Sequence, residues 1–366
     1  MTPAVSVVMP VRNAARFLRA ALDSVLGQTF TDFEIVVVDD DSTDESMSIV
    51  RAYTDPRIRL VQTGRHVGVG AALNAGLRAA AADLVARQDA DDVSEPDRLE
   101  RQVPVFRSRP ALALLGTQGT IIDEAGRPCG LIDRSIEPAS IRWYALLDNP
   151  FIHTSVMFRP GVVEACGGYD EQPRLSQDYA LWTRILAGHE ARNLPDRLVR
   201  YRVNEASVTG PLTFGTAVDD YRALFDEIVR TRVTANVTAM FGQAISSADA
   251  LLLARFVSGV HPADVQQFLT VFERLLKVYR TAHREETATT DFYRTLARQY
   301  DALAFRITPP DRLRSLQVYA AALSRHPGLI AAFPWARALA LTLLGRNGRR
   351  RVSQRWADAW RRQPAA

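Results

Sequence analysis

Two clusters of acidic residues are the part of this 366-residue sequence best suited to chemistry. One lies at residues 39–44 (sequence DDDSTD) and the other at residues 89–92 (sequence DADD). Acidic clusters that lie close together repel each other unless a cation or hydrogen-bond donors separate them. Hard divalent cations bind carboxylate and phosphate oxygens. If the fold brings the clusters together, we expect a divalent ion and a nucleotide diphosphate between them, whereas the alternative is that single aspartates cap helices.

Alternating strands and helices at the start of the chain are expected to position both clusters. Unbroken apolar runs predict strands at residues 5–9, 33–38, 58–61 and 84–86. Helical periodicity predicts helices at residues 17–26 and 69–82. This order is typical of a doubly wound parallel sheet, which binds ligands outside the carboxyl ends of its strands. Both clusters follow such ends, and a capping box formed by Ser42 and Glu45 predicts a helix directly after the first cluster.

The regular alternation stops near residue 110. Further strands are predicted at residues 112–116, 120–122 and 156–158, with a helix at residues 178–187. Beyond Gly210 and Pro211 almost every segment has helical periodicity, including amphipathic stretches at residues 217–233 and 263–282. The expected fold class is therefore α/β, with a mixed, mostly parallel sheet that has helices on both faces, plus a C-terminal helical region.

Composition and charge favour a soluble, cytoplasmic protein. The net charge is +4, and no apolar run reaches the roughly 20 residues of a spanning helix. The first ten residues also lack the charged start of a signal peptide. An apolar stretch at residues 329–344 precedes an arginine-rich tail at residues 346–362. We interpret the tail either as solvated chain or as a peripheral contact with anionic lipid or a phosphorylated acceptor. Nucleic acid is not an expected partner, because the tail belongs to no recognisable binding fold.

Three other motifs with metal or phosphate chemistry do not fit the sequence. Residues 89–100 have the length of an EF-hand loop, but Val93 stands at a ligand position and Ser94 replaces the required glycine. A dinucleotide-binding fingerprint fails because Leu73 stands where the third glycine is needed. The sequence also lacks the glycine-lysine pair of a Walker motif.

Seven short motifs along residues 5–209 give the sequence a specific family resemblance. They are VSVVMPVRN, IVVVDDDSTDES, ALNAGL, ARQDADD, HTSVMFRP, GGYDE and SQDYALW. In this order and spacing, the set resembles the family 2 inverting glycosyltransferases of GT-A fold. The resemblance implies sugar transfer from a nucleotide-diphosphate sugar to an acceptor hydroxyl, with bound Mn²⁺ or Mg²⁺. Saccharide or lipid-linked acceptors, as in surface polysaccharide or glycolipid synthesis, are a family-level expectation.

The resemblance also assigns roles to residues at the end of the first two strands. Asp39 and Asp40 resemble the acids that hold the base and ribose of the donor. Val11 lies where the backbone meets the base in this family, and Pro10 and Asn13 are counted with it as donor-binding residues.

The second cluster resembles the DxD motif of the same family. Asp91 is then the metal ligand, while Asp89 faces the ribose or the metal and Ala90 contributes to donor binding. A metal at this position neutralises the diphosphate leaving group. Residues 201–204 resemble a family YRxH stretch in which Asn204 replaces the histidine, so metal binding is expected to depend more on the DxD acids. Arg202 is a candidate diphosphate contact.

Asp178, in the first turn of a predicted helix, resembles the catalytic base of the family. A helix N-terminus favours an ionised carboxylate, which is suited to accept the proton of the acceptor hydroxyl. The alternative is that Asp178 is an ordinary helix cap. His153 is interpreted as a structural residue rather than an acceptor-binding one.

These assignments predict three parts of the chain. Residues 1–110 form the nucleotide-sugar-binding half, residues 111–210 the acceptor and catalytic half, and residues 211–366 a helical region with a basic tail. Two other functions remain open. A sugar nucleotidyltransferase would carry a glycine-rich loop after the first strand, which residues 9–13 lack. A non-catalytic sugar-nucleotide binder would be expected to have lost Asp91 or Asp178, and both are present.

Overall fold

The computed structural model describes residues 2–172, 176–204, 219–241, 245–258 and 265–306, together with residues 318, 322 and 326. The chain divides into two compact units. Unit 1 consists of Met1–Ile141 and Asn149–Ile228, and unit 2 consists of Arg142–Asp148 and Val229–Ala366.

A mixed sheet forms the centre of unit 1. Its strands are β1 (Val5–Val11), β2 (Phe33–Asp39), β3 (Ile58–Gln62), β4 (Val85–Arg87), β5 (Val93–Ser94), β6 (Leu112–Ile122), β7 (Pro128–Ile132), β8 (Met157–Phe158) and β9 (Glu190–Arg202). The spatial order is β3-β2-β1-β4-β8-β6-β9-β5, with β7 paired to β6. Strands β3, β2, β1 and β4 are parallel, whereas β8 runs antiparallel to β4 and β6. The predicted α/β class with a mixed sheet is confirmed.

Helices connect these strands and make up the described part of unit 2. Those of the first 186 residues are α1 (Ala15–Leu26), α2 (Ser46–Arg51), α3 (Val69–Ala79), α4 (Arg98–Ser108), α5 (Pro138–Tyr144), α6 (Pro160–Ala165) and α7 (Gln177–Leu186), with a 3₁₀ turn at His153–Ser155. The later helices are α8 (Asp219–Phe241), α9 (Ser247–Ser258), α10 (Val265–Ala282) and α11 (Thr290–Arg306). The predicted C-terminal helical region is therefore confirmed in the residues described.

The first two strands are buried on both faces because nearly all their side chains are apolar. Val7 and Val8, which point to opposite faces of the sheet, are each 1% exposed, and Val36 and Val37 are fully buried. The one polar side chain of β1, Ser6, donates a hydrogen bond to Glu34 Oε1 at 2.6 Å. Continuous apolar runs of this kind are typical of parallel strands that are covered by helices on both sides.

Helix α3 packs close against the sheet at Gly76. A Cβ atom at Gly76 would lie 2.4 Å from Val8 Cγ1 and 3.0 Å from Val38 Cγ2. Both valines are stiff, β-branched side chains in the core, so neither relaxes easily. We expect Gly76→Ala to lower the free energy of unfolding by about 1–3 kcal/mol. Thermal unfolding of the full chain measures the change.

Gly161→Ala is the matched control for this prediction. Gly161 lies in α6, and a Cβ atom there would meet nothing within 4 Å. Because alanine lowers the entropy of the unfolded chain, this variant should be neutral or more stable by up to about 1 kcal/mol. Equal midpoints for the two variants would contradict the close contact between α3 and β1.

Two local predictions are wrong. Helix α2 begins at Ser46 rather than after Ser42, and Asp44 Oδ1 accepts a hydrogen bond from Ser46 N at 2.9 Å. Ser42 Oγ instead accepts a hydrogen bond from Asn13 N at 3.2 Å. The strands predicted at residues 112–116 and 120–122 are one strand, β6, whose pairing with β9 shifts register around residues 116–119.

Unit 2 contains an aromatic cluster around Trp143. The Trp143 ring lies 5.4 Å from that of Phe272, 5.2 Å from that of Tyr279 and 6.4 Å from that of Phe292, measured between centroids. Its Nε1 donates to Gln299 Oε1 at 2.6 Å. Residues 142–148 therefore pack with the later helices, although the sequence places them in the middle of the catalytic half.

Several predicted features lie outside the described residues. They are the boundary at Gly210 and Pro211, the apolar stretch at residues 329–344 and the arginine-rich tail at residues 346–362. Within the described part of the chain, no helix is both long enough and apolar enough to cross a membrane.

Candidate active site

The carboxyl ends of β1, β2 and β4 meet at one edge of the sheet. Val11 pairs with Asp39 in the parallel register of β1 and β2, and Val8 pairs with Arg87 across β1 and β4. The chain beyond β2 is tied to β1, since Asp40 N donates to Val11 O at 2.9 Å. Both acidic clusters therefore follow strands that end at the same edge.

The loops after β1 and β2 hold each other through Asn13. Its backbone has a φ angle of 49°, a left-handed conformation that asparagine adopts more readily than most residues. Its Oδ1 accepts a hydrogen bond from Thr43 N at 2.8 Å. Pro10 is half-buried and Val11 is 1% exposed, so both lie within the strand end rather than on the loop surface.

The two acids at the end of β2 are oriented by donors of the protein itself. Asp39 is 4% exposed, and its oxygens accept from Ser42 N at 2.9 Å and from Gln62 Nε2 at 3.3 Å. Asp40 is 3% exposed, and it accepts from the backbone N–H groups of residues 67 and 68 at 2.7 and 3.0 Å. Asp40 thereby holds the start of α3, and both carboxylates are fixed in place by the fold.

An exposed arginine is attached to Asp40 through a histidine. His66 Nδ1 lies 2.8 Å from Asp40 Oδ2, and His66 Nε2 lies 2.7 Å from Arg12 Nη1. Because a guanidinium only donates, Nε2 accepts and the ring proton is on Nδ1. The Arg12 guanidinium is therefore held at the carboxyl edge of the sheet.

The first acid of the DxD segment is paired with a buried cation. Arg87 is 1% exposed, and its Nη2 lies 2.5 Å from Asp89 Oδ1, whose side chain is 30% exposed. The backbone N–H of Asp89 donates to Thr154 Oγ1 at 3.0 Å. Ala90, the middle residue, is 7% exposed. Arg87 therefore balances the charge of Asp89 from the protein interior.

The charge of Asp91 is less well compensated than the charge of Asp89. Burial and the nearby charge of Asp89 raise the pKa of Asp91 to about 6. Its main partners come from the end of β9: Asn204 Nδ2 donates to Asp91 Oδ2 at 3.0 Å, and Arg202 Nε donates to the Asp91 carbonyl at 2.8 Å. A carboxylate in this position is stabilised in its charged form by a nearby cation.

Arg202 lies beneath the DxD segment and is 6% exposed. Its Nη1 donates to Asp123 O at 2.9 Å and to Glu124 O at 3.2 Å, and its guanidinium lies 4.6 Å from the centre of the Phe17 ring. These contacts, with the one to Asp91, connect the metal-ligand candidate to the turn after β6. The role of Arg202 as a diphosphate contact stays a prediction.

A buried polar layer fixes the backbone that carries the second acidic cluster. Asp92 is 1% exposed and accepts from Arg202 N at 2.6 Å, and burial raises the pKa of its carboxyl. Arg98 is also 1% exposed, and its Nη2 donates to Arg87 O at 2.8 Å. Burial and the charge of Arg87 lower the pKa of Arg98 to about 9. Buried charges of this kind are retained only where they are paired or hydrogen-bonded.

Asp178 lies in the first turn of α7, as the sequence predicts. Its side chain is half-buried, and its Oδ2 accepts a hydrogen bond from Asn149 Nδ2 at 2.6 Å. The helix begins after Ser176, whose φ angle of 57° turns the chain sharply into α7. Asp178 thus combines a helix N-terminus with a specific side-chain donor.

A histidine and a tyrosine pack together against Trp182 of α7. His153 Nε2 lies 3.1 Å from the Tyr169 hydroxyl. Burial and the charge of Arg87 lower the pKa of His153 to about 4, although the charges of Asp178 and Asp89 oppose this shift. The His153 ring lies 5.9 Å from the Trp182 ring of α7, centroid to centroid, and the neighbouring Thr154 accepts from Asp89 N, so this loop links the DxD segment to the helix that carries Asp178. His153 is uncharged at neutral pH.

The loop that carries Tyr169 is docked on α3. Asn74 Oδ1 accepts from Tyr169 N at 2.9 Å, and Asn74 Nδ2 donates to Tyr169 O at 2.9 Å. A Cβ atom at Gly70 would lie 2.3 Å from Asp170 O, so only glycine permits this approach. The motifs ALNAGL and GGYDE therefore meet in space.

The carboxylate oxygens near the DxD segment fit a divalent ion that would also bind a diphosphate. Among the described residues, no group of three or more His, Cys, Asp and Glu side chains forms a metal cluster. Asp89 and Asp91 supply two carboxylates, and Mg²⁺ is usually held by one or two carboxylates together with water and substrate phosphates. Burial and the charge of Asp89 raise the pKa of Asp91, and a divalent ion beside it would favour the charged carboxylate.

Sequence reasoning missed the residues that position these acids. Arg87, Thr154 and Asn74 each stand inside one of the seven motifs, yet none was assigned a role. Their membership in the motifs ARQDADD, HTSVMFRP and ALNAGL was the available signal. Asn149, the partner of Asp178, stands outside all seven.

Comparison with known proteins identifies the family. The model of "Glycosyl transferase family 2" matches residues 6–159. The chain is 33% identical over 212 residues to the putative glycosyltransferase EpsE of Bacillus subtilis, covering 56% of this chain and 74% of that protein. It is 35% identical over 194 residues to the amylovoran biosynthesis glycosyltransferase AmsE of Erwinia amylovora, covering 52% of this chain and 72% of that protein. The chain belongs to glycosyl transferase family 2.

Solved structures agree with this assignment at the level of the fold. The structure of S. aureus TarS residues 1–349 in complex with UDP-GlcNAc is similar with a TM-score of 0.53 and 17% sequence identity, covering 90% of this chain and 89% of that chain. The fold is that of the GT-A glycosyltransferases, and the protein is a glycosyltransferase with relatives in exopolysaccharide biosynthesis.

Proposed function

We propose that this protein is an inverting glycosyltransferase that transfers a sugar from a nucleotide-diphosphate donor to an acceptor hydroxyl in surface polysaccharide or glycolipid synthesis. The observation that supports the proposal is that both acidic clusters follow parallel strands ending at one sheet edge, and that the loop bonded to Asp89 packs on the helix that carries Asp178. Such a site combines a place for a diphosphate with a separate base.

The donor is proposed to bind along the ends of β1, β2 and β4. Asp39, with its fixed carboxylate, would hold the base or ribose, and the strand end formed by residues 10–13 would line the base. Asp40 would act there mainly by shaping the loop before α3, because its oxygens already accept backbone hydrogen bonds. The similar TarS structure was solved with UDP-GlcNAc, which supports a nucleotide sugar as donor class.

A divalent ion, Mn²⁺ or Mg²⁺, is proposed to bind with the donor. Asp91 would be its main protein ligand and Asp89 a second one, and the ion would neutralise charge on the diphosphate leaving group. Asn204 and Arg202 would keep Asp91 in position through the hydrogen bonds described above. The pairing of Asp89 with Arg87 explains why Asp91 is the stronger candidate.

The reaction is proposed to be a single displacement in which Asp178 is the base. The acceptor oxygen forms a bond to the anomeric carbon while the bond from that carbon to the diphosphate oxygen breaks. The hydroxyl proton moves to Asp178, and the nucleoside diphosphate leaves with the electron pair. Because one displacement occurs on the face opposite the leaving group, the product has the inverted anomeric configuration.

The division of the chain follows the same proposal. Residues 1–110 would bind the nucleotide sugar, residues 111–210 would supply the base and acceptor contacts, and residues 211–366 would be the helical region with a basic tail. A saccharide or lipid-linked acceptor is supported by relatives such as AmsE and the succinoglycan biosynthesis protein ExoO. Contact of the arginine-rich tail with anionic lipid, at the cytoplasmic face of the membrane, is part of this proposal.

A screen for diphosphate release tests the proposed function. The purified full chain is incubated with UDP-GlcNAc, UDP-glucose, UDP-galactose or GDP-mannose and a panel of saccharide acceptors, with Mn²⁺ or with a chelator. A separate arm contains nucleoside triphosphates and sugar 1-phosphates. We expect release of nucleoside diphosphate from one of these donors in the presence of the metal, and loss of that release in chelator. NMR of the product should show inversion at the anomeric carbon.

Three outcomes would contradict the proposal. Release of pyrophosphate from a nucleoside triphosphate and a sugar phosphate would identify a nucleotidyltransferase instead. A product with retained configuration would exclude the single displacement. Equal rates in Mn²⁺ and in chelator would show that the reaction does not depend on the metal.

A further inference from the structure

Asn149 makes the one described side-chain hydrogen bond to the proposed base. Its Nδ2 donates to Asp178 Oδ2 at 2.6 Å, a short contact typical of a hydrogen bond to a charged acceptor. Asn149 is half-buried and lies 29 residues before Asp178 in the chain. The contact therefore depends on the tertiary fold and is not part of a local helix cap.

The orientation of the Asn149 side-chain amide is fixed by a hydrogen bond to its oxygen. Asn149 Oδ1 accepts a hydrogen bond from Phe151 N at 3.1 Å, which assigns the oxygen and leaves Nδ2 to face Asp178. Residues 149–151 contact α7 at a second point, since the Phe151 ring lies 6.0 Å from the Trp182 ring, centroid to centroid. Asp178 and Trp182 are four residues apart and so share one face of the helix. Asn149 and Phe151 therefore meet the same face of α7.

We propose that Asn149 is a positioning residue for the proposed base. It holds Asp178 Oδ2, so that the carboxylate takes one rotamer and presents Oδ1 to the acceptor hydroxyl. The inference rests on the proposed function, because it gives Asn149 a catalytic effect only if Asp178 is the base.

A purely structural role for Asn149 makes a different prediction. In that case the important contact is the one from Phe151 N to Asn149 Oδ1, which stabilises the turn at residues 149–151. Aspartate at position 149 would keep that acceptor but would face Asp178 with a second carboxylate. Alanine would remove both contacts. Comparison of the two variants therefore separates the turn from the effect on the base.

The experiment measures kcat, donor affinity and thermal unfolding for Asn149→Ala and Asn149→Asp in the full chain. The probe is the nucleotide sugar, from the four in the screen above, that gives the fastest diphosphate release. We expect kcat to fall by about 10- to 100-fold in both variants, because a misplaced catalytic group is costly. Donor affinity should change by less than about two-fold, since neither contact involves the donor site. Asn236→Ala, which removes another half-buried asparagine amide, should keep the wild-type kcat.

A double-mutant cycle with Asp178→Asn decides between the outcomes. If Asn149 acts through Asp178, adding Asn149→Ala to Asp178→Asn should cost no more than about two-fold further, because the two residues act as a unit. Wild-type kcat in Asn149→Asp with a loss in Asn149→Ala, or fully additive losses in the cycle, would overturn the inference and leave the base assignment intact. A near-normal rate in Asp178→Asn alone would instead overturn the base assignment, and with it this inference.

Discussion

Asp178→Asn is expected to reduce the rate of sugar transfer by about 10²- to 10⁴-fold, the usual effect of losing a well-placed general base. Asparagine has the shape of the acid but cannot take up the proton of the acceptor hydroxyl. The donor should still bind, because Asp178 lies on α7 and the proposed donor site lies at the ends of β1, β2 and β4. Single-turnover assays measure the transfer rate and titration measures donor affinity. Both are performed on the same preparation, so that a loss of transfer can be separated from a loss of donor binding.

Asp291→Asn is the matched control for this variant. Asp291 is also a half-buried acid in the first turn of a helix, α11, so its replacement loses a similar interaction with the helix dipole. That loss is worth about 0.3–1 kcal/mol of stability and should not change the transfer rate. If Asp178→Asn behaved like Asp291→Asn, with a rate within a few-fold of wild type, Asp178 would only stabilise the first turn of α7 and would not be the base.

Asp91→Ala is expected to abolish turnover and to leave the fold intact. The variant removes the main proposed metal ligand, while the backbone contact from Arg202 Nε to the carbonyl of residue 91 is kept. Without a bound metal, the thermal unfolding midpoint of Asp91→Ala should be equal to or higher than that of the wild type. The reason is that burial and the charge of Asp89 already disfavour the charged carboxylate, as the pKa of about 6 indicates.

Metal binding gives this prediction a readout other than activity. EPR titration of Mn²⁺ in the presence of UDP or GDP should show one bound ion in the wild type and a large loss of affinity in Asp91→Ala. Asp133→Ala removes an acid that is 47% exposed and paired with Arg197, and it should bind Mn²⁺ and turn over like the wild type. Unchanged Mn²⁺ affinity in Asp91→Ala would exclude Asp91 as the ligand.

The sequence by itself determined the central elements of the fold. The apolar runs before Pro10 and Asp39 predicted β1 and β2, because a parallel strand that is buried on both faces has few polar side chains. The same reasoning predicted that the acids after β2 and β4 lie at one sheet edge, since parallel strands end together. The helix that begins at Gln177 was predicted from periodicity, and with it the place of Asp178.

The tertiary structure alone decided which groups hold each acid. Asp40 is bound by the loop before α3, Asp89 is paired with Arg87, and Asp178 is held by Asn149. The structure also assigns residues 142–148 to the helical unit, through the packing of Trp143. Periodicity and local motifs report which side of a strand or helix is buried, but a hydrogen bond between residues 29 positions apart leaves no periodic trace. Such partners are selected by the distances and donors that the folded chain brings together, and these exist only once the sheet and helices have packed.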